Sequence, residues 1–306
     1  MLPIGQSAPR KSLLTSREVL QAYGLGETAD DFLEQSPRVR LHRLRGSRSS
    51  DPEPLHLHKY RPLDVKSDAS VNKVRQILVD NQVWMASPSS LNDKSDMRFD
   101  VEFNHDPAVR RAWLLRNQHL ISDLPPQQLG VITQRILYGK LDADVLAAFQ
   151  KEMLDRMGVF SGARDPRNDL MWTHYAGDSS GVCVQFSTWL DELFLLAKRV
   201  KYGDKFPKLI LPVPNDRVPE EHYLVKASRW AYETEWRVVA ASHSHPVVLR
   251  PESVSGVIVG SHAEAAAVDV VRGLLEERRI AGHPPVKVYR AVRSGFDIRL
   301  LSGFLP

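Results

Sequence analysis

The chain is poor in cysteine: its 306 residues include one, Cys183. An intrachain disulfide and a cysteine-based zinc cluster are thereby excluded. Flanked by Val182, Val184 and Phe186, Cys183 reads as a small packed hydrophobe rather than a nucleophile. No apolar run approaches the ~20 residues needed to cross a bilayer, and the opening Met-Leu-Pro-Ile-Gly-Gln-Ser lacks the apolar core of a secretory signal. A cytoplasmic protein with no membrane partner is the expectation. Equally missing are a Gly-rich phosphate loop ending in Lys-Ser/Thr, a strand-linked dinucleotide fingerprint and a Gly-x-Ser-x-Gly elbow. His56-x-His58 and His243-x-His245 each offer two ligands on one strand face, but neither has a third ligand nearby in sequence, so no metal is expected. There is no internal repeat and no low-complexity tract.

What is present is an ordinary globular composition, 42% hydrophobic and 25% charged, with a net charge of +4. Much of the excess is local. Arg38, Arg40, Arg43, Arg45 and Arg48 follow one another with no acid among them. That run suits a solvated linker, or else contact with the phosphates of a nucleic acid. Residues 1–54 therefore read as an N-terminal appendage and basic linker, with short helices capped near Thr15 or Ser16 and running from Thr28 toward Glu34. Acids at Asp30, Asp31 and Glu34 oppose a DNA-recognition helix there. Residues 55–306 read as one domain with a helical insert over 107–157.

Within that domain, His56–Arg61 alternates as a strand, 68–81 carries a helical apolar face, and 83–87 reads as a second strand. Gly181–Phe186 is another strand, 189–197 a helix, 257–260 a strand, and 263–280 a helix before the final strands 286–291 and 296–301. Strands and helices alternate without a strict βαβ rhythm. The fold class expected is α+β, with a twisted, largely antiparallel mixed sheet.

The densest stretch is Trp230-Ala-Tyr-Glu-Thr-Glu-Trp-Arg-Val-Val239. Its aromatics and β-branched end favour a strand. Period-two alternation would then put Glu233, Glu235 and Arg237 on one face, opposite Trp230, Tyr232, Thr234 and Trp236. Three other polar-aromatic clusters stand out: Lys59-Tyr60-Arg61, Ser87-Pro-Ser-Ser-Leu-Asn-Asp93, and Met171-Trp-Thr-His-Tyr-Ala176. Each alone has a bland reading as a turn, a core aromatic or a satisfied buried histidine.

Taken together, Lys-Tyr-Arg-Pro, Trp-Met-Ala-Ser-Pro-x-x-Leu-Asn-Asp, Met-Trp-x-His-Tyr-Ala with Gly-Val-Cys-Val-Gln-Phe, and Tyr-Glu-x-Glu-Trp-Arg resemble a widespread bacterial domain-of-unknown-function family, from Leu55 to the C-terminus. The loop departs from that family's Asn-Asp-Pro-Phe-Glu, reading Asn92-Asp93-Lys94-Ser95-Asp96. Any acidic role there would fall to Asp96 or Asp100. The order Arg61, Ser87, Glu233-x-Glu235 is also similar to the arrangement of ADP-ribosyltransferases.

That second likeness implies NAD as substrate and a set of roles. Glu235 would stabilise the ribosyl cation, Glu233 would orient or deprotonate the acceptor, and Arg61 would hold the pyrophosphate. Ser87 would brace the strand or the glutamate, Asn92 and His174 would belong to the cofactor site, and Tyr60, Trp172 or Tyr175 would stack on nicotinamide. The acceptor, protein or nucleic acid, is left open. The alternative is a non-catalytic module of a bacterial defence or toxin system that senses a nucleotide or binds a protein, with the glutamates paired to Arg61 or Arg237.

Overall fold

The computed structural model describes residues 13–45, 52–116, 125–139, 150–151, 154–211, 218–240 and 244–303. Contacts divide the chain into two units: residues 1–87, 157–199 and 231–306 in the first, and 88–156 with 200–230 in the second. Within the stretch 55–306, expected as one domain, the second unit holds 200–230 together with 88–156, which includes all but the last residue of the expected insert.

The first unit is built on an eight-stranded sheet. Its strands are β1 (His56–Arg61), β2 (Gly158–Ala163), β3 (Val182–Ser187), β4 (Lys198–Arg199), β5 (Glu235–Ala240), β6 (Val254–Val259), β7 (Lys287–Ser294) and β8 (Asp297–Ser302). Their order across the sheet is β8-β7-β6-β3-β1-β2-β5-β4. Every pairing is antiparallel except β6 with β7. The protein is therefore α+β with a largely antiparallel mixed sheet. Both faces of the central strands are covered, which is why β3 reads Val-Cys-Val-Gln-Phe-Ser with hardly a polar residue.

Among the described residues, six helices accompany this sheet: α1 (Ser16–Ala22), α2 (Gly26–Glu34), α3 (Pro37–Arg45), α4 (Asp68–Leu78), α5 (Asp169–Tyr175) and α6 (Ala265–Ile280). The periodicity of α4 and α6 places Val74, Ile77 and Leu78, and Ala267, Val271 and Leu274, in one core with Leu57, Phe160, Val184, Trp236, Val238 and Val257. On the opposite sheet face a smaller core joins Met171, Trp172 and Ala176 of α5 to Tyr60, Ala163, Cys183 and Ile258. Cys183 is buried, and burial pushes its thiol well above the usual range.

The described part of residues 1–54 is not an appendage. Val19, Leu20 and Ala29 belong to the main core, and Leu14–Thr15 pairs with His245–Val248, which in turn pairs with Gln82–Met85. Thr15 caps α1 in a full capping box with Glu18. The arginine run forms α3 up to Arg45, and Arg40 is buried with its guanidinium 4.4 Å from the Phe32 ring centroid. Arg48 and His243 lie outside the described residues.

In the second unit, short strands Asp100–Phe103 and Lys208–Leu211 pair in parallel, as do Lys201–Gly203 and Val225–Ala227. Helices Pro107–Arg116 and Pro126–Leu137 lie within the stretch expected as a helical insert, of which 117–124, 140–149 and 152–153 are outside the described residues. The helix expected over 189–197 is instead a pair of 3-10 turns, Thr188–Leu190 and Glu192–Leu196. Among the described residues no helix is long and apolar enough to cross a membrane.

Candidate functional site

The strand expected from Trp230 begins only at Glu235. A 3-10 turn, Ser228–Glu233, precedes it, and Thr234 between them sits at φ 44°. A β-branched residue is rare in this left-handed region, so the junction is strained. Backbone bonds hold it: Thr234 N donates to Ala231 O (3.3 Å), and Arg164 N donates to Thr234 O (3.2 Å). The Thr234 Oγ1 is buried with no hydrogen-bond partner. Alternation through this stretch is therefore broken, and Glu233 does not share a strand face with Glu235. Glu235 and Arg237 do share one.

Two of the four sequence clusters meet here. Tyr175 Oη donates to Glu233 Oε1 (2.6 Å), His174 and Tyr232 lie with ring centroids 6.1 Å apart, and Asn168 Nδ2 donates to Tyr232 O (2.7 Å). Asn168 also caps α5, accepting from Met171 N (3.2 Å), so one side chain ties the helix to the turn. His174 is exposed, Tyr175 and Tyr232 are half-buried, and Glu233 is buried. The result is a rim of three rings beside a carboxylate.

Tyr60 joins from beneath. Its ring meets Trp172 edge-on at 5.1 Å, and its hydroxyl donates to Asp165 O (2.9 Å). Burial raises its phenol far out of the titrating range. Trp172 is fully buried and spends its Nε1 on Pro166 O (2.9 Å). Both are floor residues, closed to a stacking ligand.

Register places Glu235, Ala163, His58 and Gln185 in one row across β5, β2, β1 and β3. His58 is buried, with Nδ1 3.3 Å from Ala163 O and Nε2 3.4 Å from Gln185 Oε1. Burial lowers its pKa to about 4, against the raising effect of those bonds. Glu235 Oε1 accepts from Arg237 Nε at 2.8 Å, and the two side chains are 5% and 0% exposed. His58 and His56 point the same way with rings 6.4 Å apart. Among the described residues no group of three or more His, Cys, Asp or Glu side chains is placed to hold a metal.

Arg61 is not part of this site. Cross-strand partners share a face, and Arg61 opposes Val182 while Lys59 opposes Val184, both in the core under α4 and α6. Glu235 opposes Ala163, in the core under α5. Arg61 and Glu235 thus lie on opposite faces of the sheet, and one cannot hold a pyrophosphate beside the other. Ser87 is also remote. Its neighbour Ala86 bridges to Val159, four residues along β2 from Ala163, roughly 13 Å at strand rise.

Asn92 belongs to the second unit and is exposed. In that unit Asp93 accepts from Ser95 N (3.0 Å), Ser95 Oγ (2.7 Å), Trp230 Nε1 (2.6 Å) and Arg229 Nη2 (3.2 Å). Burial would raise its carboxyl, but these bonds outweigh it and hold the pKa down at about 2. Asp96 is buried 3.6 Å from Lys226 Nζ, and Asp100 is exposed at the start of its strand. The sequence reading missed the roles of Asn168, His58 and Gln185. Asn168 carried a signal, standing three residues before Met171 at a helix start.

The fold and rim define a mixed α+β protein with a polar-aromatic site at one end of its main sheet. No family model matches the chain, and comparison with curated proteins and with solved structures yields no match.

Proposed function

We propose that the chain is a binding module for a nucleotide-like ligand, received at the rim of His174, Tyr175, Tyr232 and Glu233, and that it senses this ligand without breaking it down. One observation carries the reading: Glu235, the carboxylate that NAD cleavage would require, is sealed against Arg237 at 2.8 Å, with Arg61 on the other face of the sheet. The rim itself suits an aromatic heterocycle. Exposed His174 and half-buried Tyr232 offer ring faces, and Glu233, oriented by the Tyr175 hydroxyl, accepts from ribose hydroxyls or an exocyclic amine. A bacterial defence or toxin system is the setting in which we place this non-catalytic reading.

A thermal-shift panel of NAD, ATP, GTP and adenosine, run with chromatography of the spent ligand, tests this. Stabilisation without consumption is expected, and His174→Ala and Glu233→Gln should each weaken it about tenfold. Consumption of NAD that Glu235→Gln abolishes, at unchanged melting temperature, would sink the reading.

A second reading, an ADP-ribosyltransferase-like sheet that cleaves NAD, draws on the strained Thr234 and on the 2.6 Å bond that orients Glu233. In it Glu233, rather than Glu235, faces the ribosyl cation. Glu233→Gln should then remove NAD consumption while leaving the fold intact; NAD left intact by the wild-type chain refutes it.

A further inference from the structure

On the opposite face of the sheet, Arg61 presents an unusual situation. Its Nε is sealed from solvent and has no hydrogen-bond partner, and among the described residues no carboxylate is bonded or ion-paired to it. The residue as a whole is half-buried, so its charge is only partly hydrated, and such a group is ordinarily matched by an anion.

Its surroundings deepen the imbalance. Arg61, Val182, Val259 and Arg290 form one cross-strand row over β1, β3, β6 and β7, on the face that α4 and α6 cover. Arg290 Nη2 donates to Ser261 O and Ala263 O, each at 3.0 Å, in the loop that leads into α6. That loop is pinned to the same end by Gly260 N on Gly181 O (2.9 Å), and Gly181 itself passes so close to Arg61 O that a Cβ would clash. The α4 helix starts there too, with Ser70 Oγ donating to Pro62 O (3.2 Å).

Two helix starts and two arginines therefore lie at one end of one face, the arginines three strands apart. Each start carries a partial positive charge, although at α4 Ser67 Oγ already accepts from Ser70 N (3.3 Å). Glu264, the residue at the head of α6, makes no side-chain cap bond, and the acids nearest in sequence, Asp64, Asp68 and Glu264, are exposed to solvent.

We propose that this recess binds a tetrahedral oxyanion, a phosphate or a phosphomonoester group, with Arg61 as its anchor and the starts of α4 and α6 as its walls. The guanidinium supplies donors in a fork that matches two anion oxygens, and backbone N–H groups at a helix start complete the shell. The site lies on the other sheet face from the aromatic rim and does not depend on it.

The test compares inorganic phosphate with chloride at matched ionic strength, on the full chain. Phosphate at about 100 times its Kd should raise the wild-type melting temperature by roughly 5–10 °C over chloride. Arg61→Met should lose that increment. In chloride it should melt within about 2 °C of wild type, because the half-buried charge it removes has no ion-pair partner to lose. Hydrogen exchange on the wild type gives a readout that needs no variant: phosphate should slow exchange at 68–69 and 265–266. Adenosine, which carries no phosphate, should bind Arg61→Met as it binds wild type, so failure of the rim and failure of this recess are told apart. Equal phosphate stabilisation in Arg61→Met, or no phosphate increment and no protection in the wild type, overturns the proposal.

Discussion

Removing the carboxylate of Glu235 should act on stability before it acts on chemistry. Glu235 Oε1 and Arg237 Nε are 2.8 Å apart, with side chains 5% and 0% exposed. Two unit charges about 4 Å apart attract by about 4 kcal/mol at an effective dielectric near 20. Neutralising one member takes this bond from a buried charge, and breaking a buried pair typically costs about 3–5 kcal/mol. For a domain of this size, each kcal/mol moves the melting temperature by about 2–4 °C. Glu235→Gln and Arg237→Met should therefore each melt roughly 10 °C below wild type. The double variant, with both charges gone, should recover most of that loss, and the cycle should return a favourable coupling. Calorimetry or a dye-based melt of the four proteins measures it. A Glu235→Gln protein that melts within about 1 °C of wild type would refute the reasoning, and would return Glu235 to the list of groups poised for catalysis.

Further expectations follow from the same geometry. His58 is buried, and its pKa falls from 6.5 to about 4 on folding. Below pH 6.5 the unfolded chain takes up a proton that the folded chain refuses, so this contribution is intact above 6.5 and lost as pH falls toward 4, by about 3 kcal/mol. His58→Gln should flatten that limb in urea melts between pH 7 and pH 4; an unchanged slope counts against it. At Gly260 an added Cβ would strike Ser179 O, whereas at Gly273 in α6 it would meet nothing within 4 Å. Gly260→Ala should cost more than about 4 kcal/mol or prevent folding, while Gly273→Ala should add about 0.5–1 kcal/mol; soluble expression and melting temperature decide both. Thr234→Gly relieves the φ of 44° and should stabilise by about 1 kcal/mol, with weaker nucleotide binding if the strain positions Glu233. A variant less stable than wild type would show that the threonine side chain, not the backbone, matters there.

The sequence by itself determined the local elements. Alternation in His56–Arg61, the 3.6-residue stripe in α4 and α6, and the Thr15–Glu18 box are short-range patterns, each set by residues within a few positions of one another. It also determined which residue types crowd together at Met171–Ala176 and Tyr232–Arg237, and these clusters do meet, through Tyr175 and Glu233. Only the tertiary structure decided which face each side chain took. Inserting Thr234 in a left-handed conformation resets the alternation, so Glu233 and Glu235 part company. A strand also carries no mark of which neighbour it will pair with, and Arg61 fell on the α4 face because Leu57 and Lys59, four and two residues earlier, point toward that core. The division at residues 88–156 and 200–230 depends on pairings such as Asp100–Phe103 with Lys208–Leu211. Contacts between residues so far apart in the chain are chosen by packing, and no local pattern announces them.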